Sequence, residues 1–401
     1  MVGLDIGTYK VGVVVAEVRE GRVEVTGIGT AASTGLRKGT VVNIDATVES
    51  IRRAVEEAEL MAACEIRNVV ASVGGSHLKG ANSHGVVPVR SREVARSDVE
   101  RVIEAARAVP LPTDRELLHV LPQEFVVDDQ DGIKAPVGMA GVRLEARVHI
   151  VTGGISAGQN LIKCCNRAGL HVDAMLATPL AAGEAVLAPE ERELGAAVID
   201  IGAGTTDILV ARAGSVRHSA VLPIGGRHVT SDLAAALRTP FGEAETLKIR
   251  NGTAVTLAAS PELNVEVPGI GGRPPQRLSQ RALAEVIEPR ALEVLRLARA
   301  EIERAGCGGL LTSGIVLTGG GATLRGLVDL AERVFQLPVR LGVPVQLTGL
   351  VDAVASPMYS TAVGLVLHGR EQLERPNAGR TSMSQLGRVG HRMVEWLRDF
   401  F

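Results

Sequence analysis

Aromatic residues are nearly missing from this chain: one Trp, two Tyr and five Phe in 401 residues. A core built without them must be aliphatic, and the AVILMFWYC share of 46% supplies that material. Cysteine is scarce as well. Cys64, Cys164, Cys165 and Cys307 show no paired metal spacing, and the vicinal Cys164–Cys165 pair is a poor zinc clamp. All four are expected to be reduced, buried thiols of a cytosolic protein. Charge excess is also lacking. A formal charge of −2 excludes the basic surplus of a general nucleic-acid binder. No run of about 18 apolar residues exists to span a bilayer. No secretion signal is expected, because Met1 is followed at once by a Gly/Asp turn motif. The length leaves room for two or more domains.

What the chain does have is a repeat. "VGLDIGTYKVGVVVAEV" at 2–18 and "AVIDIGAGTTDILVARAG" at 197–214 share one pattern: apolar run, Asp-Ile-Gly, short Gly/Thr turn, second apolar run. Each reads as a strand, a tight turn and a returning strand. The chain is thus expected to hold two related halves, each opening on the same hairpin. Gly7, Gly202 and Gly204 let backbone N–H groups approach an anion closely. Thr8, Thr205 and Thr206 add hydroxyl donors, and Asp5 and Asp200 place carboxylates beside them. A carboxylate next to a polyphosphate needs a cation between them. Mg²⁺ suits this, being a hard ion that keeps waters and uses few carboxylates. One such turn alone is more often structural; two at matching positions point to a phosphate cradle.

A third glycine signal is "GIVLTGGGATLRGL" at 314–327. A strand is expected to run into Gly319, Gly320 and Gly321 and then into a helix over "TLRGLVDLAERVF", leaving free N–H groups at the helix start. "EAETLKIRNG" at 243–252 reads as a helix ending at Asn251-Gly252, with Glu245 and Lys248 on one face. That pair is either a solvated surface ion pair or a bracket for the ribose or base of a nucleotide.

The rarest residues gather at the end. Leu386, Val389, Gly390, Met393, Leu397, Phe400 and Phe401 form one face of an expected helix over 384–401, flanked by Trp396. Arg388, Arg392 and Arg398 lie off that stripe, with Glu395 and Asp399. Such a helix is about 27 Å long, yet its charges forbid spanning. It can lie in a lipid surface, dock on the protein's own core or bind a protein partner. The stretch 369–383, with Pro, Gly, Asn and charges, is expected to be a flexible tether.

The order of the motifs resembles the actin/Hsp70/sugar-kinase ATPase superfamily. "PVGMAGVRLEARVHIVTG", "GLHVDAMLATPLAAGEAVL", "LPIGGRHVTSDLA" and the tail resemble one family in particular, the bacterial cell-division proteins called FtsA. The resemblance covers residues 2–401. It implies an α/β actin-like (ribonuclease H-like) duplicated fold, with two large subdomains around a nucleotide cleft and two smaller ones. Residues 1–76 and 152–192 would form the first large subdomain, and 77–151 an inserted FtsA-specific unit. Residues 193–226 and 306–368 would form the second, and 227–305 a small subdomain. Within the insert, Ser97 with Glu100 is a candidate helix cap, and "LHVLPQEFVVDDQDGI" reads as strands and turns.

The resemblance also implies function. Asp5 and Asp200 would sit around Mg²⁺ through water. Gly7, Thr8, Gly202, Gly204, Thr205 and Thr206 would contact the phosphates of ATP. Glu245, Lys248, Gly319, Gly320 and Gly321 would contact adenosine. Implied partners are the C-terminal peptide of FtsZ on the small subdomain, later division proteins, further copies in filaments, and an anionic membrane under the terminal helix. The implied place is the inner face of the bacterial cytoplasmic membrane at the division site. Hsp70-type enzymes carry Glu where this chain has Thr178, just before Pro179. A threonine is no base at neutral pH, so weak or absent hydrolysis is expected. Relatives usually carry several residues before the first strand, so an upstream start is expected. Other readings are a small-molecule kinase of the same fold, for which no sugar-binding loop set is visible, and an FtsA-like pilus assembly ATPase.

Overall fold

The computed structural model describes residues 1–373. The chain opens with strands β1 (Val2–Ile6), β2 (Lys10–Arg19) and β3 (Arg22–Ala32). A small hairpin, β4 (Leu36–Arg37) and β5 (Thr40–Val41), leads to helix α1 (Ile44–Ala62) and strand β6 (Asn68–Val73). The next unit is β7 (Lys79–Pro88), α2 (Arg96–Arg107), β8 (Arg115–Val127), β9 (Gln130–Ile133) and β10 (Arg143–Gly154). Then follow α3 (Ile155–Arg167), β11 (His171–Ala177), α4 (Thr178–Val186) and α5 (Pro189–Leu194). The second half runs β12 (Ala196–Ile201), β13 (Thr206–Arg212), β14 (Ser215–Leu222), α6 (Gly226–Leu237), α7 (Phe241–Asn251), β15 (Asn264–Val267), β16 (Gln276–Ser279) and α8 (Gln280–Arg304). It closes with β17 (Ile315–Thr318), α9 (Leu327–Phe335), β18 (Val339–Leu341), β19 (Leu347–Gly349), α10 (Val351–Val354) and α11 (Ser360–Leu373).

The repeat seen in the sequence is a repeat of topology. One sheet has the order β11-β6-β1-β2-β3-β19 and the other β14-β13-β12-β17-β18. In each, three antiparallel strands form a meander, and the first of them pairs in parallel with a later strand. The reason is local. β1 and β12 are apolar enough to be buried on both faces, so helices must cover both sides of the sheet. Helix α1 does so with a buried stripe of Val48, Ile51, Ala54, Val55 and Ala58, and Asn43 caps it by accepting from Ala46 N–H at 3.0 Å. The cores are aliphatic as expected, and Phe125 is the largest fully buried side chain.

Several expectations need correction. The segment 347–368 was expected in the second half. Instead β19 pairs with β3, and α11 packs on α4, β1, β2 and β6 of the first. Helix α11 also runs to Leu373, into the stretch 369–383 expected as tether. Ser97 does not cap α2. The N-cap is Ala95, two residues earlier, and Asp98 accepts from Ala95 N–H at 3.0 Å. Cys164, Cys165 and Cys307 are buried free thiols, but Cys64 is exposed beyond the end of α1. The terminal residues Leu386, Arg388, Val389, Arg392, Met393, Trp396, Leu397, Phe400 and Phe401 lie outside the described residues. Among those described, no helix is long and apolar enough to cross a membrane.

The inserted sheet, ordered β7-β10-β8-β9, docks on β14 through a buried polar seam. His149 is fully buried there. Its Nδ1 faces Asn82 Oδ1 at 2.7 Å and its Nε2 faces Ser219 Oγ at 2.8 Å. The neutral ring satisfies both contacts, donating from Nδ1 and accepting at Nε2. Burial, and then the nearby His218, push its pKa down to about 3. The unfolded chain takes up a proton near pH 6.5, whereas the folded one does not. Stability carried by this ring is therefore present above that pH and lost as the pH falls toward 3, by about 1.4 kcal/mol per unit. Replacing the ring by glutamine (H149Q) should flatten the fall of Tm between pH 6.5 and 4.5. Parallel profiles for the two proteins would contradict this assignment.

Candidate nucleotide cleft

The two hairpins turn through matching four-residue loops. Ile6 pairs with Val11 and Ile201 with Thr206, leaving Gly7–Lys10 and Gly202–Thr205 as the turns. Each turn is closed the same way. Gly7 N–H donates to Lys10 O at 3.0 Å, and Gly202 N–H donates to Thr205 O at 2.9 Å. The loops face one cleft, with a cavity volume of about 300 Å³. Asp5, Gly7, Thr8, Asp200, Gly202, Gly204, Thr205, Glu245, Lys248, Gly319, Gly320 and Gly321 all line it. Thr206 does not. It is fully buried, and its hydroxyl donates to Ile224 O at 2.8 Å. Alternation along β13 turns it to the other face of the sheet.

The glycines earn their places by contact. A Cβ on Gly204 would stand 2.8 Å from Thr8 Oγ1, so the two loops touch. Gly319 has φ +82°, and a Cβ there would stand 2.1 Å from Asp200 Oδ1. The glycine turn thus packs on the second hairpin turn as well as opening to the cleft. The expected helix start at this turn is not seen. A 3₁₀ turn over Gly320–Thr323 intervenes, and α9 begins only at Leu327 after Gly326 at φ +74°. Free amides of a long helix are therefore not aimed from this turn.

Glu245 and Lys248 form no solvated surface pair. Their ion pair spans 2.8 Å with side chains 19% and 15% exposed. Lys248 Nζ also donates to Thr230 Oγ1 at 2.9 Å and to Gly226 O at 3.2 Å. The pair is a braced wall joining α7 to the start of α6.

Two cleft residues escaped the sequence reading. Asp207 lies on β13 opposite Asp200. One of its oxygens accepts from Thr178 Oγ1; the other, Oδ1, is buried without a hydrogen-bond partner. Lys10 closes the first turn, and its Nζ is likewise buried and unpartnered. Both signals were visible as ionisable residues opening strands that are otherwise apolar, "TDILVA" and "KVGVVVA". The electrostatics agree with the packing. Burial raises the pKa of Asp5, while Ser72 Oγ, donating at 2.9 Å, opposes the shift. Burial raises Asp200 and Asp207 too, reinforced for Asp200 by Asp207 and then Asp5, and for Asp207 by Asp5. Three carboxylates that repel one another, one with an orphaned oxygen, form a donor set that fits a hydrated divalent cation. Among the described residues no three His, Cys, Asp or Glu side chains converge to chelate an ion directly.

Comparisons with known proteins agree with this architecture. The family model "Cell division protein FtsA" matches residues 197–364, and "SHS2 domain inserted in FTSA" matches 75–152. The chain is 50% identical to the cell division protein FtsA of Pseudomonas aeruginosa over 373 residues, covering 93% of this chain and 89% of that one. It is 43% identical to FtsA of Escherichia coli K12, covering 100% and 98%. Among solved structures, a PilM-PilN type IV pilus biogenesis complex matches with a TM-score of 0.65 at 19% identity, covering 92% and 98%. MreB 5 of Spiroplasma citri bound to AMPPNP matches with a TM-score of 0.56 at 14% identity, covering 93% and 97%. These structures share the actin-like ATPase fold. With two duplicated sheets, an inserted unit and relatives alike across almost their whole length, the chain belongs to the FtsA family of cell-division proteins.

Proposed function

We propose that this protein binds Mg-ATP in the cleft, assembles head to tail into filaments, and ties the FtsZ ring to the inner face of the cytoplasmic membrane through residues 384–401. The observation that carries the nucleotide reading is the pair of matching turns facing one cavity, with a glycine turn packed beside them. A neighbour of the same fold is described as bound to AMPPNP. Backbone N–H groups of both turns, with Thr8 and Thr205, would receive the phosphates. Asp5, Asp200 and Asp207 would hold Mg²⁺ through its waters. The ion would supply the charge neutralisation that phosphates beside carboxylates require. Glu245 and Lys248 would border the adenosine.

Hydrolysis is proposed to be slow. The Thr178 hydroxyl is committed to Asp207, and a hydroxyl is no base at neutral pH. ATP then serves chiefly to set the relation of the two halves. A body with two unlike ends that meets its copies head to tail builds an open filament. The small region 227–305 is the proposed dock for the FtsZ C-terminal peptide, and later division proteins would join the assembled layer. Many weak anchors in one filament act as one strong anchor.

Co-sedimentation with vesicles containing anionic lipid tests the anchor. The full chain should pellet, and more so with ATP. The chain lacking 384–401 should stay in solution while binding ATP equally well. Equal pelleting of both chains would refute the anchor and leave the nucleotide site untouched.

A further inference from the structure

All three nucleotide-facing turns meet one short corner of the chain: the 3₁₀ turn Pro357–Tyr359 and the first turn of α11. Gly319 N–H donates to Pro357 O at 3.2 Å, and Thr318 Oγ1 lies 2.6 Å from Ser360 Oγ. These contacts hold the glycine turn. Thr361 Oγ1 donates to Asp200 Oδ2 at 3.2 Å, which holds the second phosphate turn. Lys10, closing the first turn, sets its Nζ 3.5 Å from the centroid of the Tyr359 ring.

Lys10 is the least settled of these contacts. Its ammonium is buried, lines the cleft and makes no hydrogen bond. An ammonium carries three donors, and the face of a ring accepts none of them in a directed way. Burial lowers its pKa to about 8 against the attraction of Asp5, so it is still mostly cationic at pH 7. A phosphate oxygen in the cleft would offer the charge-assisted bond that the ring cannot.

We infer that Lys10 is a polyphosphate ligand parked on Tyr359, and that its transfer from ring to phosphate loosens the Pro357–Thr361 corner, so that α11 registers whether a nucleoside triphosphate is bound. This rests on the nucleotide reading of the cleft. Helix α11 is the described helix that precedes 384–401 along the chain. Its first turn therefore links the phosphate site to the base from which the proposed anchor departs. The polyphosphate is the trigger, and adenosine alone leaves the ring contact in place.

Calorimetry and hydrogen exchange on the full chain, with ATP or adenosine and Mg²⁺, test the relay. Lys10→Met should weaken ATP by about ten-fold and leave adenosine unchanged. Removing an unpartnered ammonium should not lower Tm, which keeps the comparison clean. Tyr359→Leu should tighten ATP by about two- to ten-fold, since the ring no longer competes, while Tyr359→Phe keeps the ring and should match wild type. ATP, but not adenosine, should speed exchange across Met358–Gly364 in wild type and fail to do so in Lys10→Met. ATP binding with unaltered exchange there, or equal ATP affinity in Lys10→Met, overturns the relay alone. Failure of wild type to bind ATP overturns the relay and the cleft reading together.

Discussion

Asp200→Asn should weaken Mg-ATP by roughly 10- to 100-fold, the range seen when a group that orients a metal's immediate ligands is lost. The same change should raise the Tm of the nucleotide-free protein at pH 7.5. Both effects have one cause. In the cleft Asp200 is buried against Asp207 and Asp5, so its pKa is raised and ionising it costs stability. The sign follows from linkage. A carboxyl whose folded pKa lies above its unfolded value disfavours the fold at pH values above the unfolded one. Asparagine removes that cost while its Oδ1 still accepts from Thr361. The gain in Tm should therefore shrink as the pH is lowered to 5, toward the ordinary carboxylate pKa, where the unfolded chain gains little by ionising this group. Adenosine affinity should hold, because Glu245 and Lys248 are braced by Thr230 and Gly226 and not by Asp200. Titration calorimetry and thermal melts at the two pH values measure all of this. Lower Tm in the variant at pH 7.5 would show that Asp200 is a structural anchor and no part of a strained cation site.

The duplicated turns were legible because their chemistry is local. Asp, Gly and Thr at fixed spacing between apolar runs can make only a few turns, and finding them twice removes most of the ambiguity. Asp207 and Lys10 were harder, since each belongs to a strand whose other residues read as core, and only the fold turns them into one cavity. Thr206 failed for the converse reason. It sits in the motif, but the two-residue period of β13 sends its hydroxyl to Ile224. The cap of α2 was misread by two residues: Ala95 is the N-cap, and Asp98 reaches back to its N–H as Glu100 was expected to do for Ser97. The return of β19 to the first sheet is non-local: three residues, Leu347–Gly349, pair with Val23–Val25 more than 300 positions earlier in the chain. No pattern of spacing announces such a pairing. The exposure of Cys64 likewise depends on where α1 ends, at Ala62, with Ala63 as a left-handed C-cap at φ +51°.

The second large effect is expected at Gly364, where α11 crosses α4. A Cβ on Gly364 would stand 1.8 Å from Ala181 O and 2.5 Å from its carbonyl carbon. On the other side of α11, a Cβ on Gly3 would stand 2.4 Å from Ala362 O. The helix is therefore pressed between β1 and α4, backbone on backbone, with no flexible side chain available to yield. Ala181, Ala182 and Ala185 on α4 continue this contact and are fully buried. Gly364→Ala should cost about 3 kcal/mol or more, above the usual range for overpacking because helix axes must separate, and Gly364→Val should not fold. Gly242→Ala is the matched control. Nothing lies within 4 Å of its added Cβ on α7, so it should be neutral or stabilise by about 0.5–1 kcal/mol. Chemical denaturation of the two alanine variants gives the comparison. The reason the contact is so tight is positional. Helix α4 begins with Thr178, which holds Asp207, and α11 begins at the corner that holds Asp200. Two helices that each start at the cleft and cross without slack tie the carboxylates Asp200 and Asp207 to the core of the first half. A Gly364→Ala protein that folds but has lost this crossing should bind Mg-ATP more weakly even though residue 364 lines no part of the cleft.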